Sequence, residues 1–138
     1  MIRNDSGKRY TEVMDEASLL PFREYHARRD SEIRREREAL RLGVLEAARE
    51  AIRESAPRFA AIRAVYLFGS VLQPGWFRSD SDVDVAIDSD DIEAETPFWR
   101  LLEEALERNV DLRPRLGAVA RAVEDGGELC YERKVPGP

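Results

Sequence analysis

Residues 64–88 read AVYLFGSVLQPGWFRSDSDVDVAID, and this stretch decides the fold. Ala64–Phe68 is short and wholly apolar, the pattern of a buried strand. Gly69-Ser70 ends it in a turn. Eleven residues later comes Asp82-Val83-Asp84, which opens a second apolar run. Val83, Val85 and Ile87 alternate with Asp82, Asp84 and Ala86. Side chains two apart on a strand point the same way. One face of this strand therefore joins a core, and the other carries two carboxylates.

The chain continues outward in the same grammar. Residues 88–95 (DSDDIEAE) read as an acidic loop, with Asp88, Asp90 and Asp91, like Asp80 before them, as solvated acids. Thr96 can cap a helix with Pro97 at its first position. Phe98, Leu101, Leu102, Ala105 and Leu106 then recur at helical spacing. Val110-Asp111-Leu112 reads as a third strand, ended by Pro114. Leu116, Val119, Ala120 and Val123 predict another helix, stopped by Gly126-Gly127. Residues 128–132 (ELCYE) read as a terminal strand, with Cys130 as small core filler. Upstream, residues 1–10 are polar and read as frayed. Residues 11–20 predict one or two helical turns before Pro21. Phe22 to Ser55 is rich in Ala, Leu, Arg and Glu and predicts one long helix, stopped by Pro57. Leu40, Val44, Ala47, Ala48, Ala51 and Ile52 give its second part an apolar face. Residues 22–38 are polar on every side and need another support, such as a docked partner. His26 lies there, solvated, with no nucleophile to serve. The order predicts an α/β (α+β) class: a small mixed sheet with packed helices, preceded by a long N-terminal helix.

Charge excludes some functions. The 138 residues carry a formal −6. Residues 1–57 hold 12 Lys+Arg and 12 Asp+Glu, while residues 58–138 hold 10 and 16. The acidic half is a poor partner for nucleic acid, whose binding runs on clustered cations, and it suits divalent metal. One cysteine gives no disulfide framework. No apolar run spans a bilayer, and no signal-peptide pattern opens the chain. The expectation is a cytoplasmic protein without membrane or direct nucleic-acid contact.

The acids define the chemistry. Asp82 and Asp84 are placed to bind hard cations together, with water and phosphate filling the remaining positions. Asp111, also between two apolar strand residues, reaches the same site if its strand lies about 4.8 Å from residues 83–87. Three such acids repel one another without a cation. With one they can assist in-line attack of a hydroxyl on phosphorus, Asp111 helping to deprotonate it. Gly69 allows close backbone approach to a phosphate, and Ser70 adds a hydroxyl. Trp76, Phe77 and Arg78 lie between the two halves. They either stack on a base and bind phosphate or pack against the long helix.

Phe68-Gly69-Ser70, Asp82-Val83-Asp84 and Val110-Asp111-Leu112 resemble the signature of polymerase β-type nucleotidyltransferases. The short length and the ending GGELCYE resemble the minimal (MNT-domain) antitoxins paired with HEPN-domain toxins. The resemblance covers about residues 60–132. It implies a nucleotidyltransferase fold, with residues 1–57 as a helical extension and 58–138 as the minimal domain. It implies two Mg²⁺ ions on Asp82, Asp84 and Asp111, and the phosphates of ATP held by Gly69 and Ser70. It further implies AMP transfer to a tyrosine hydroxyl of a HEPN-type ribonuclease toxin. Members often read Gly-Ser-x-Ala-Arg-Gly, whereas here Gln73 replaces the Arg and Pro74 is inserted. Arg78, in the following loop, is the candidate to replace it in nucleotide binding. The alternatives are an antitoxin that acts by binding alone and a small-molecule nucleotidyltransferase. The latter is disfavoured because too little chain follows residue 113 for a substrate domain. The long helix is the expected docking or dimerising element.

Overall fold

A computed structural model describes residues 16–134, with side chains from Leu20 onward. The expectations for residues 1–15 lie outside the described residues. The chain divides into two compact units, residues 1–36 and 37–138.

Helix α1 runs Glu16–Ser55, so it starts before Pro21 rather than after it. Proline there removes one hydrogen bond near the helix N-terminus, a loss that the strong helix formers on either side outweigh. In the first unit, Phe22 is 61% and Tyr25 53% exposed. Both meet the ring of His26 edge-on, at 4.3 and 5.5 Å between centroids. His26 is thus exposed, as expected, but flanked by aromatic rings.

The second unit is built on a four-stranded sheet in the order β3-β2-β1-β4. Strand β1 is Ile62–Phe68, β2 Val83–Ser89, β3 Val110–Pro114 and β4 Glu128–Glu132. Pairs β1–β2 and β1–β4 are antiparallel, and β2–β3 is parallel, so the sheet is mixed. Helix α2, Glu95–Leu106, crosses from β2 to β3. Helix α3, Gly117–Gly126, lies against β1, β2 and the turn after β1. Short 3-10 segments at Ala56–Arg58, Gly69–Leu72 and Ile92–Ala94 complete the connections. Among the described residues, no helix is long and apolar enough to cross a membrane.

The core lies on one face of the sheet. Leu45, Ala48, Ala51 and Ile52 of α1 and Phe98 and Leu102 of α2 pack with Val65, Leu67, Val83, Val85 and Ile87. Fully burying each of the Val, Leu, Ile and Phe side chains stabilises by about 1.5–3 kcal/mol. Helix residues 37–55 are therefore part of the sheet's own core. At the sheet edge, Arg49 of α1 forks onto Glu128 of β4, at 2.7 and 2.6 Å.

Two local expectations change. Asp88 and Ser89 belong to β2 rather than to a loop. Asp88 is half-buried because Arg115 grips both its oxygens, at 2.8–3.1 Å. Thr96 is not the helix cap. A 3-10 turn at Ile92–Ala94 leads straight into α2, and Asp91 caps that turn by accepting from the Glu93 amide at 3.0 Å. The chain thus enters α2 already helical, and no free cap position falls at Thr96.

Candidate active site

β1 is antiparallel to β2 and β2 is parallel to β3, which brings the ends of the three strands into one row. Phe68 pairs with Asp84, and Asp84 pairs with Asp111. Registered partners share a sheet face, so Asp84 and Asp111 stand side by side on the face opposite the core. Asp82 lies on the exposed lead-in to β2.

Gly69 follows Phe68 with φ +77°, in the left-handed region that favours glycine. A Cβ added there would lie 2.3 Å from Oδ2 of Asp84. The turn and the carboxylate thus touch. Ser70 is half-exposed in the same 3-10 turn, which the Gln73 amide closes onto the Ser70 carbonyl at 3.0 Å.

Three arginines and a helix set this geometry. Arg41 of α1 is buried and donates to the Val71 carbonyl at 3.0 Å. Arg108 donates to the carbonyls of Ser79 and Ser81 at 2.9 and 2.8 Å. Its guanidinium lies 5.0 Å from the centre of the buried Phe77 ring. The loop leading into Asp82 is pinned by these contacts. On α2, Trp99 and Glu103 are four apart and share a face. Trp99 donates to the Val110 carbonyl at 2.8 Å, and Glu103 accepts from the Val110 amide at 2.8 Å. The backbone entering Asp111 is therefore held on both sides. Arg113, two residues further along β3, forks onto Asp111 at 3.0 Å to each oxygen.

Electrostatics single out Asp84. Burial, and then the neighbouring Asp111 and Asp82 charges, push its carboxyl above the usual range, partly offset by Arg113. Among the described residues Asp84 enters no ion pair. A hard divalent cation suits such an all-oxygen set that is short of positive charge. Among the described residues, however, no three His, Cys, Asp or Glu side chains gather as a cluster for a metal ion. Arg113 occupies Asp111, and Asp82 lies outside the strand. The neighbouring carboxylates of Asp84 and Asp111 are oxygen donors of the kind a hard divalent cation takes.

Residues 50–134 match the family model described as polymerase beta, nucleotidyltransferase. The chain belongs to this family.

The fold is accordingly the nucleotidyltransferase fold. Among curated proteins, none matches the sequence. Among solved structures, the chain is similar to a toxin–antitoxin crystallised with AMP-PNP: 26% identity, TM-score 0.47, over 62% of this chain and 70% of that one. It is also similar to an MntA–HepT toxin–antitoxin: 22% identity, TM-score 0.46, over 64% and 73%. A third is a tri-AMPylated Shewanella oneidensis HEPN toxin in complex with MNT antitoxin: 23% identity, TM-score 0.46, over 65% and 73%.

Of the residues singled out from the sequence, Gly69, Asp84 and Asp111 come together, and Ser70 lies beside Gly69. Arg78 is exposed in the 73–82 loop, where its amide donates to the Ser81 hydroxyl at 2.9 Å. The aromatic pair before it divides: Phe77 enters the core, and Trp76 stays 70% exposed. Cys130 is core filler, its thiol pushed up to about 12, chiefly by burial. Sequence reasoning missed Arg113, although its i+2 spacing from Asp111 placed it on the same strand face. It also missed Arg41, Arg108, Trp99 and Glu103. Each of them bonds a backbone group outside its own helix or turn, for which residue spacing gives no signal.

Proposed function

We propose that this chain transfers a nucleoside monophosphate, AMP from ATP, to a hydroxyl of a partner protein. We further propose that it acts in this way as an antitoxin on a HEPN-type ribonuclease. The observation that carries the reading is the pairing of Asp84 with Asp111 beside Gly69. The sequence resemblance set out above supports the antitoxin role. In the reaction, the acceptor oxygen bonds to the α-phosphorus, the bond from that phosphorus to the β-phosphate oxygen breaks, and pyrophosphate leaves. The hydroxyl proton passes to the Asp111 carboxylate, which parallel pairing places next to Asp84. Ser70 and the amides of the 69–72 turn receive phosphate oxygens, and Arg78 adds charge from the loop. Asp82, Asp84 and Asp111 would hold Mg²⁺, which would supply the positive charge that a triphosphate needs to approach these acids. The mostly exposed helix residues 20–36 serve as the docking element, for the toxin or for a second copy.

A binding-only antitoxin is the second reading. It is favoured by the Arg113 fork, which withholds Asp111, and by Gln73 at the turn. The partner's mass after incubation with ATP, Mg²⁺ and the product of the neighbouring gene separates the two. Catalysis adds one or more AMP units with wild type and none with Asp82→Asn/Asp84→Asn. Equal neutralisation by that double variant, with no mass gain, establishes binding alone.

A further inference from the structure

Arg41 is 7% exposed, four residues before the buried Leu45, at a helix position that faces the core. An apolar residue is the ordinary occupant of such a position. Glu38 compensates part of the guanidinium: Nε donates to Oε2 at 3.0 Å and Nη2 to Oε1 at 2.5 Å. The third arm reaches away from the helix. Nη1 donates to the carbonyl of Val71 at 3.0 Å, across thirty positions of sequence. Val71 is wholly buried and lies in the 3-10 turn Gly69–Leu72. The last carbonyls of a short helix have no partner within it, and a buried carbonyl without one is costly. Residues 69–75 contain no Lys or Arg, so the turn has no cation of its own. Its position matters because Gly69 touches Asp84.

We propose that Arg41 is the positioning residue of the phosphate-receiving turn: anchored by Glu38, it holds the Val71 carbonyl and thereby fixes Gly69 and Ser70 beside Asp84. The proposal rests on the nucleotidyltransferase reading for its consequence, and on the turn's own geometry for its substance. It assigns α1 a part in nucleotide binding without any contact to the nucleotide.

Hydrogen exchange and steady-state kinetics test it on the full chain. In Arg41→Met, the amides of residues 70–73 exchange about tenfold faster, while those of β1 and α2 keep their wild-type rates. KM for ATP rises about tenfold with kcat little changed, the mark of a binding geometry lost rather than a chemical group. Arg41→Lys falls between, since an amine reaches one partner at a time. Glu38→Gln also falls between, because the anchor is weakened while the bond to Val71 remains. Wild-type exchange at 70–73 in Arg41→Met overturns the proposal, as does faster exchange spread evenly over the domain. Should Arg41→Met not fold, wild-type exchange and KM in Arg41→Lys overturn it instead. If the wild-type protein transfers no nucleotide, the functional reading fails, and the exchange rates still decide the role of Arg41.

Discussion

Gly69 and Asp84 are fitted to each other, since a Cβ on Gly69 would stand 2.3 Å from the Asp84 carboxylate. The glycine is needed twice, once for its φ of +77° and once for the space it leaves. A left-handed backbone costs a residue with a side chain about 1–2 kcal/mol before any clash. Gly69→Ala is therefore expected to lower the melting temperature and abolish nucleotide transfer together. Thermal denaturation and the mass assay check both, and an active, fully stable Gly69→Ala contradicts the contact.

Asp84 is half-buried beside two like charges, which destabilise the fold when no cation is bound. Asp84→Asn removes the charge and keeps the shape. It should leave the metal-free protein as stable as wild type or more so, while ending transfer. Urea denaturation in chelator gives the first half of this comparison. A marked loss of stability there would show that the carboxylate is structural.

Arg113 pairs with Asp111, so a divalent cation at Asp111 would have to compete with it. The ion pair is exposed, and such pairs contribute about 0–1 kcal/mol. Arg113→Gln should accordingly tighten Mn²⁺ or Mg²⁺ binding by a few-fold, as read by titration calorimetry. Weaker cation binding in this variant would mean that Arg113 helps to order the acids instead of occupying one.

The Arg49–Glu128 fork ties α1 to the sheet edge, and the Arg49 hydrogen bond holds the Glu128 carboxyl below its usual range. A folded value lower than the unfolded 4.5 makes the contribution fully present above that pH. It is lost as pH falls through the folded value. The melting-temperature gap between wild type and Glu128→Gln should be constant near neutrality and close in acid. A gap that persists unchanged in strong acid would assign the effect to packing.

Glu107 follows α2 with φ +49°, a left-handed conformation carried by a residue with a side chain. Glu107→Gly should relieve the strain and stabilise by about 1 kcal/mol. Denaturant titration measures the shift, and a lower midpoint would show that the side chain contributes more than its backbone costs.

The elements of the catalytic unit were legible because each carries its own local signal. Apolar alternation marked β2, Pro114 closed β3, and Gly126-Gly127 ended α3 where the periodicity stopped. The carboxylates stood out for the same reason, as charges at fixed spacing in apolar strands. Boundaries that depend on competition between local and tertiary terms were less legible, as at Pro21 inside α1 and Asp88 inside β2. Asp88 reads as a loop acid until Arg115 arrives from beyond β3 to neutralise it.

By itself, the sequence determined the kind of fold, and it placed Gly69-Ser70, Asp82, Asp84 and Asp111 at the ends of apolar strands. Strand period and residue type are local properties, and they suffice for that. Only the tertiary structure decided that Asp84 registers with Asp111, that Arg113 occupies the latter, and that Arg41 grips the turn from thirty residues away. Register and salt-bridge choice depend on which groups folding brings within about 3 Å. Among the many arginines and acids of this chain, spacing alone names no partner.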